Sequence, residues 1–255
     1  MKLNDKTALV TGAGQGIGEG IALELARQGA DIALNVLDDN DQARRVRDAI
    51  IGLGRRCEIL QADVSSVAAV RGMLARALGH FGHLEILVNN AGIQRRAPFV
   101  EVHEDDYDRI LGVNLKGPFF LTQAFVQALA ASGRPGKVIN ISSVHESLPS
   151  PQNVAYTASK GGLQMMMRTL AIELAPLSIT VNNVAPGAIR TPMNDDLLGD
   201  EPKLRRLEAR IPLRRMGTTA DVAGVVAFLA SADADYITGT TTVVDGGLLW
   251  SYEAQ

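Results

Sequence analysis

The chain has 255 residues, a net charge of −3, and 46% apolar against 4% aromatic residues. That length suits one α/β domain or two small ones, and the mild acidity without a long basic run argues against a nucleic-acid partner. A single cysteine, Cys57, excludes an internal disulfide or a cysteine metal cluster. No apolar run reaches the roughly 18 residues of a membrane span, and Met1–Asp5 lacks a secretory apolar core, so a cytoplasmic protein is expected.

In chain order, Thr7–Val10 is a short apolar run that reads as a buried strand. Thr11-Gly12-Ala13-Gly14-Gln15-Gly16-Ile17-Gly18 follows at once. Glu19 to Gln28 then has helical spacing, with Ile21, Ala22, Leu25 and Ala26 on one side and Gly29 as the stop. Strand, glycine turn and helix in succession suit a dinucleotide. Glycines allow close backbone approach to a pyrophosphate, and the helix start offers free N–H groups at the positive end of its dipole. The spacing Gly12-x3-Gly16-x-Gly18 departs from the usual G-x-G-x-x-G.

Strand and helix continue to alternate. Strands are expected at Asp31–Val36, Cys57–Ala62, Leu84–Val88, Lys137–Ile141, Ile179–Asn183 and Thr241–Val244. Helices are expected at Asp41–Gly52, Val67–Phe81, Glu104–Ala131 with a kink near Gly117-Pro118, Tyr156–Ala175 and Asp221–Ser231. Seven strands joined by crossover helices predict an α/β fold: one doubly wound (Rossmann) parallel sheet with helices on both faces, in a single domain spanning residues 1–255. The irregular stretch Gly187–Thr218 is expected to be a small mobile cap over the site. Ligands in such sheets bind beyond the carboxyl ends of the strands. Asn89-Asn90-Ala91-Gly92, Ser142-Ser143 and Pro186-Gly187 should therefore meet at one rim.

The chemistry is read from Ser143-x12-Tyr156-x3-Lys160. Tyr156 and Lys160 are four residues apart and share a helix face. A nearby ammonium stabilises phenolate and should draw the tyrosine pKa down from about 10. Such a tyrosine exchanges a proton with an alcohol or a carbonyl. Ser143 could hold the reacting oxygen, with Ser142 as its competitor. His80, His83 and His103 show no metal-ligand spacing, so no metal is expected.

Thr11-Gly12, Gly16, Gly18, Asp63-Val64, Asn89-Asn90-Ala91-Gly92, Asn114, Ser143, Tyr156, Lys160, Pro186-Gly187, Thr191 and Asp245-Gly246-Gly247 fall in one familiar order. By these pieces the chain resembles the short-chain dehydrogenase/reductase family over nearly its whole length. It is most similar to the glucose dehydrogenase type, on Ser142-Ser143-Val144-His145-Glu146, Tyr156-x-Ala158-Ser159-Lys160-Gly161-Gly162 and Pro186-Gly187-Ala188-Ile189. The resemblance implies an NAD(P)-dependent oxidoreductase acting on a secondary alcohol or carbonyl. It assigns catalysis to Asn114, Ser143, Tyr156 and Lys160, with Asn114 kinking its helix and holding a water linked to Lys160. It assigns the cofactor to Gly12, Gln15, Gly16, Ile17 and Gly18, to Asp63 and Val64 by the adenine, and to Asn90, Ala91 and Gly92 by the ribose. Tyr156, Lys160, Pro186, Gly187, Ile189 and Thr191 complete that set towards the nicotinamide. Gln94, His145 and Asn153 join Ser143 and Tyr156 as candidate substrate contacts. A homotetramer is implied, packed through the two long helices. Met165-Met166-Met167 and Leu170 are either contacts there or core, and the apolar Leu248–Tyr252 segment is expected to dock on a neighbour.

The substrate expected is a sugar or polyol. A ketoacyl thioester, a steroid or a small ketone is the alternative within the same chemistry, and a nucleotide-binding regulator without turnover the alternative outside it. For the cofactor, a carboxylate at the end of the second strand binds the 2′-hydroxyl of NAD, whereas an arginine accepts the 2′-phosphate of NADP. Val36 stands where NAD-type relatives carry aspartate, yet Asp38, Asp39 and Asp41 follow and no Lys or Arg occurs from Gln28 to Ala43. NAD is therefore expected, with NADP possible.

Overall fold

Strands Thr7–Val10 (β1), Asp31–Val36 (β2), Cys57–Gln61 (β3), Ile86–Asn89 (β4), Gly136–Ile141 (β5), Ile179–Pro186 (β6) and Thr241–Val244 (β7) form one sheet. All pairings are parallel, in the order β3-β2-β1-β4-β5-β6-β7. The computed structural model describes residues 1–251, without the side chains of residues 195 and 196. Tyr252, at the end of the apolar C-terminal segment, lies outside the described residues.

Burial on both faces explains the near-continuous apolar strands. Ala8 and Val10 of β1 point into one core with Ile21, Ala22 and Leu25 of α1 (Gly16–Arg27), Val46 and Ile50 of α2 (Asp41–Gly52), and Val222 and Val226 of the later helix Thr219–Ala230. Leu9, one residue on, points into the other. There it meets Met73 and Leu74 of α3 (Val67–Phe81), Leu121 and Phe125 of the helix Gly117–Ser132, and Met167 of Val154–Leu174. Local signals set the ends: Asn40 accepts from Ala43 N at the start of α2, Ser66 caps α3, and Gly82 closes α3 with φ of +83°.

The expected helix from Glu104 is interrupted earlier than Gly117-Pro118. It consists of α4 (Glu104–Leu111), a π-helical stretch Gly112–Lys116, and α5 (Gly117–Ser132). The π stretch ends with Gly117 N–H donating to Gly112 O, and Pro118 lies in the first turn of α5, where a missing N–H costs no helical bond. Next come α6 (Val154–Leu174) and, after β6, the region expected to be irregular. That region contains α7 (Asp195–Leu198) and α8 (Glu201–Arg210), before α9 (Thr219–Ala230). An Ile189–Gly217 bridge, with Arg190 N donating to Gly217 O at 2.9 Å and Gly217 N to Ala188 O at 2.9 Å, ties the two ends of this insertion together.

The chain crosses from β3 at one edge to β4 beside β1, so strand order reverses between β1 and β4. Their carboxyl ends are held by side chains. Thr11 Oγ1 accepts from Asn90 N at 2.9 Å and Ala91 N at 3.0 Å, and Asn90 Nδ2 donates to Thr11 O at 2.8 Å. On the other flank Asn35 Nδ2 donates to Leu60 O at 3.0 Å and Ala62 O at 3.1 Å, tying the ends of β2 and β3.

Candidate active site

A cleft of about 500 Å³ runs along this rim. Every position assigned to the cofactor by resemblance lines it, from Gly12 through Asn90 to Thr191. Gly12 and Gly16 have φ of +61° and +60°, a left-handed backbone that glycine adopts without penalty. A methyl carbon placed on Gly18 would sit 2.3 Å from Gly12 O and 2.5 Å from Asn90 Nδ2, so only glycine lets the start of α1 approach the turn this closely. Gln15 precedes α1 in extended conformation and makes no side-chain cap, which leaves the first helical N–H groups free to meet an anion. These features fit a dinucleotide pyrophosphate, which Gly12, Gln15, Gly16, Ile17 and Gly18 would hold. Thr191 and Pro192 close over the turn: an added carbon on Gly16 would lie 3.6 Å from Thr191 Cβ and 3.8 Å from Pro192 Cδ.

At the other end of the cleft stand Ser143, Tyr156 and Lys160. Ser143 follows β5 in extended backbone and its Oγ accepts from His145 N at 3.1 Å. The Tyr156 hydroxyl faces Ser143. Ser142 Oγ is buried without a partner, so of the two serines Ser143 is the one placed to meet a substrate. Lys160 is 4% exposed, donates to Ile141 O at 2.8 Å, and has its Nζ 5.6 Å from the centre of the Tyr156 ring. Burial pulls its pKa down to about 8, opposed by the negative charge of Glu146. Burial also pushes the Tyr156 phenol above its ordinary value, opposed by the Ser143 hydrogen bond. The tyrosine pKa therefore stands above its ordinary value and not below it as expected: desolvation, which disfavours both charged forms, dominates, and Ser143 is the group that opposes it.

Asn114 is fully buried in the π stretch and does not reach the cleft. Its Oδ1 accepts from Ile93 N at 2.9 Å, and its Nδ2 donates to Ile93 O at 2.9 Å and Ser159 Oγ at 3.1 Å. It lies near Lys160 all the same. A carbon added at Gly92 would be 3.5 Å from Asn114 Oδ1 and 3.8 Å from Lys160 Nζ.

The three weaker substrate candidates are not among the cleft-lining residues. Gln94 Nε2 donates to Asn153 Oδ1 at 3.0 Å, and Asn153 Nδ2 donates to Ser150 Oγ at 2.9 Å, so these two amides brace a loop behind the site. His145 Nδ1 hydrogen-bonds Leu148 O at 3.0 Å, with its ring centre 6.3 Å from that of Tyr156. Conversely, Ile93, Met193, Asn194, Arg109, Asn40 and Gln42 also line the cleft. None belongs to a motif, and only the fold brings them in. The methionine run divides: Met167 is core and Met165 is 58% exposed. Among the described residues no helix is long and apolar enough to cross a membrane, and no group of three or more His, Cys, Asp or Glu is placed to hold a metal.

A glycine cradle at a topological switch, with a buried tyrosine–lysine pair at its far end, defines an oxidoreductase that uses a nicotinamide cofactor on a C–OH/C=O centre. A family model described as Enoyl-(Acyl carrier protein) reductase matches residues 12–249. The 2-dehydro-3-deoxy-D-gluconate 5-dehydrogenase of Escherichia coli K12 is 40% identical over 248 residues, covering 97% of this chain and 96% of that protein. The gluconate 5-dehydrogenase of Burkholderia cenocepacia, solved with NADP and tartrate, is 36% identical with a TM-score of 0.93, each chain covered to 98%. The acetoin dehydrogenase of Enterobacter cloacae is 38% identical with a TM-score of 0.89, over 100% of this chain and 98% of that one. The chain belongs to the short-chain dehydrogenase/reductase family.

Replacing Gly18 by alanine should force the turn apart at a cost of about 1–3 kcal/mol. The expected outcome is a lower melting temperature together with weakened binding of a nicotinamide dinucleotide, read by thermal unfolding and by titration of the cofactor.

Proposed function

We propose that this enzyme interconverts a secondary alcohol and a ketone on a sugar, polyol or sugar acid, with Ser143, Tyr156 and Lys160 as the reacting set. The observation that carries this reading is the buried Tyr156–Lys160 pair beside Ser143 at the end of the glycine cradle. The sugar assignment is supported by the gluconate and deoxygluconate dehydrogenases among the relatives. A small hydroxyketone is the second reading, supported by the acetoin dehydrogenase and by the apolar Ile93 and Met193 in the cleft lining.

When bound, the nicotinamide supplies the hydride acceptor for the alcohol or the hydride donor for the ketone. Ser143 Oγ holds the reacting oxygen in hydrogen-bond reach of Tyr156. Tyr156 takes the hydroxyl proton in oxidation and returns one in reduction. Lys160 lies beside the tyrosine ring, and the pair, once it has lost one proton, can accept the proton that Tyr156 takes from the alcohol. Asn114 holds the Ile93 loop and, through Ser159, the first turn of α6, which keeps Tyr156 and Lys160 in register. The exposed apolar side chains of Phe119 on α5 and of Met165 and Ile172 on α6 support a homotetramer built on those helices.

For the cofactor, Asp38 stands in the cleft at the end of β2, with Asn40 and Gln42 beyond it. A carboxylate there favours a ribose hydroxyl and repels a phosphate, which supports NAD over NADP although related structures hold NADP. Arg109 is the guanidinium lining the cleft, on α4 near Val113.

The reading is tested with NAD and NADP against aldonates, aldoses, polyols and acetoin, following the absorbance of the reduced nicotinamide. Turnover of a sugar or sugar acid with a higher kcat/KM for NAD is expected. A higher kcat/KM for NADP than for NAD would overturn the NAD preference. Tyr156→Phe should lose at least about 10²-fold in kcat while still binding cofactor; near-normal turnover would remove the mechanism.

The pH dependence has a definite sign. Lys160 loses its proton near pH 8 and Tyr156 above its ordinary value, so the pair sheds its first proton near pH 8. Alcohol oxidation should rise as pH passes through that value, and ketone reduction, which needs the protonated pair, should fall. A flat kcat/KM profile for oxidation between about pH 7 and 9 would contradict it.

A further inference from the structure

Three buried asparagines stand in register across the sheet at the level of the reacting groups. Asn89 of β4 pairs with Asn140 of β5, and Asn140 with Asn183 of β6. Their amides are joined in one direction. Asn89 Nδ2 donates to Asn140 Oδ1 at 2.9 Å, Asn140 Nδ2 to Asn183 Oδ1 at 3.0 Å, and Asn183 Nδ2 to Glu146 Oε2 at 3.2 Å. Asn140 and Asn183 are fully buried. Each donor therefore points towards the Glu146 carboxylate, and aligned amide dipoles reinforce one another in a low-dielectric interior.

The other oxygen of Glu146 accepts from Gln164 Nε2 at 2.6 Å. Tyr156, Lys160 and Gln164 follow one another at four-residue steps on α6 and share a face. Ser143 meets the first of them and Glu146 the last, and both belong to the short segment after β5. Lys160 lies between. Of the charged groups near it, Glu146 is the one whose field acts on its ammonium; Ser143 and Tyr156 are neutral neighbours, as are the asparagines of β4 to β6.

We propose that Glu146 is a positioning residue for the reaction, held by Gln164 and by the asparagine ladder as the fixed counter-charge of the Lys160 ammonium. It touches neither substrate nor cofactor; it acts through Lys160, whose charge in turn governs the phenolate of Tyr156. Without that negative charge, desolvation alone would act on Lys160, and the lysine would give up its proton at lower pH.

The inference rests on the tyrosine–lysine chemistry above, but its test does not require turnover. Lysines carrying ¹³C at the ε position are titrated by NMR in the unsubstituted enzyme, in Glu146→Gln and in Glu146→Asp, with Lys160 assigned by Lys160→Met. In Glu146→Gln, which keeps the shape and loses the charge, the Lys160 midpoint should fall by about half a unit or more, and in Glu146→Asp it should stay near the parent value. On whichever substrate turns over, the pH midpoint for oxidation should move with it. Equal Lys160 midpoints in the parent and in a folded Glu146→Gln would overturn the proposal. A shifted lysine midpoint in an enzyme silent on every alcohol would instead sink the reading of the function and leave this one standing. If Glu146→Gln does not fold, Glu146→Ala, which removes the same charge and leaves room for water, must lower the midpoint in the same direction, and no change there is equally decisive.

Discussion

The rest of the structure depends on how the gap beyond the paired carboxyl ends of β1 and β4 is shaped. Where strand order reverses, neighbouring crossovers leave to opposite faces and the carboxyl ends have no connection covering them. Thr11 and Asn90 span that gap with hydrogen bonds that a purely apolar turn could not supply. The same Asn90 amide also reaches Gly12 O at 3.2 Å, so one side chain fixes both the width of the crevice and the shape of the glycine turn. The glycine turn is therefore shaped by the same hydrogen bonds that close the sheet beside it, so the proposed dinucleotide cradle and the fold share them.

The second constraint is desolvation. Burying a phenol and an amine side by side raises one pKa and lowers the other, so desolvation favours the neutral form of each. Ile141 O holds the lysine and Ser143 the tyrosine, so neither depends on solvent for its partner. What distinguishes the site from an ordinary buried pair is that a cleft reaches both.

Much of this was legible in the chain. β1, β2, α2, α3 and β7 have the ends that apolar runs and capping residues predict, because Asn40, Ser66 and Gly82 act locally. β6 runs three residues beyond the expected end, through Val184-Ala185-Pro186. Asn182 and Asn183 read as the edge of a strand, yet they are buried, with Asn182 Nδ2 bonded to Ile237 O at 2.8 Å and Asn183 to Glu146. Polarity there signals a buried network rather than exposure. α8 buries none of its residues, so it has no apolar stripe to reveal it; Asp200 accepting from Lys203 N and an Arg205–Glu201 pair mark it instead. Within the site, the motifs pointed to Ser143, Tyr156, Lys160 and the glycine turn, which line one cleft. Arg109, Ile93 and Asn194 carried no such signal, since only tertiary packing brings them to the cleft.

The π-helical stretch Gly112–Lys116 has a consequence for how this chain can change. A π turn holds one residue more than an α turn, and that surplus residue sets the rotation of α5 relative to α4. Losing any single residue between 112 and 116 would restore a regular helix and swing Asn114 roughly 100° around the axis, by the geometry of 3.6 residues per turn. Its bonds to Ile93 would go, and with them the support of the loop that follows β4. Length variation that a surface loop absorbs would therefore disturb the site at these five positions.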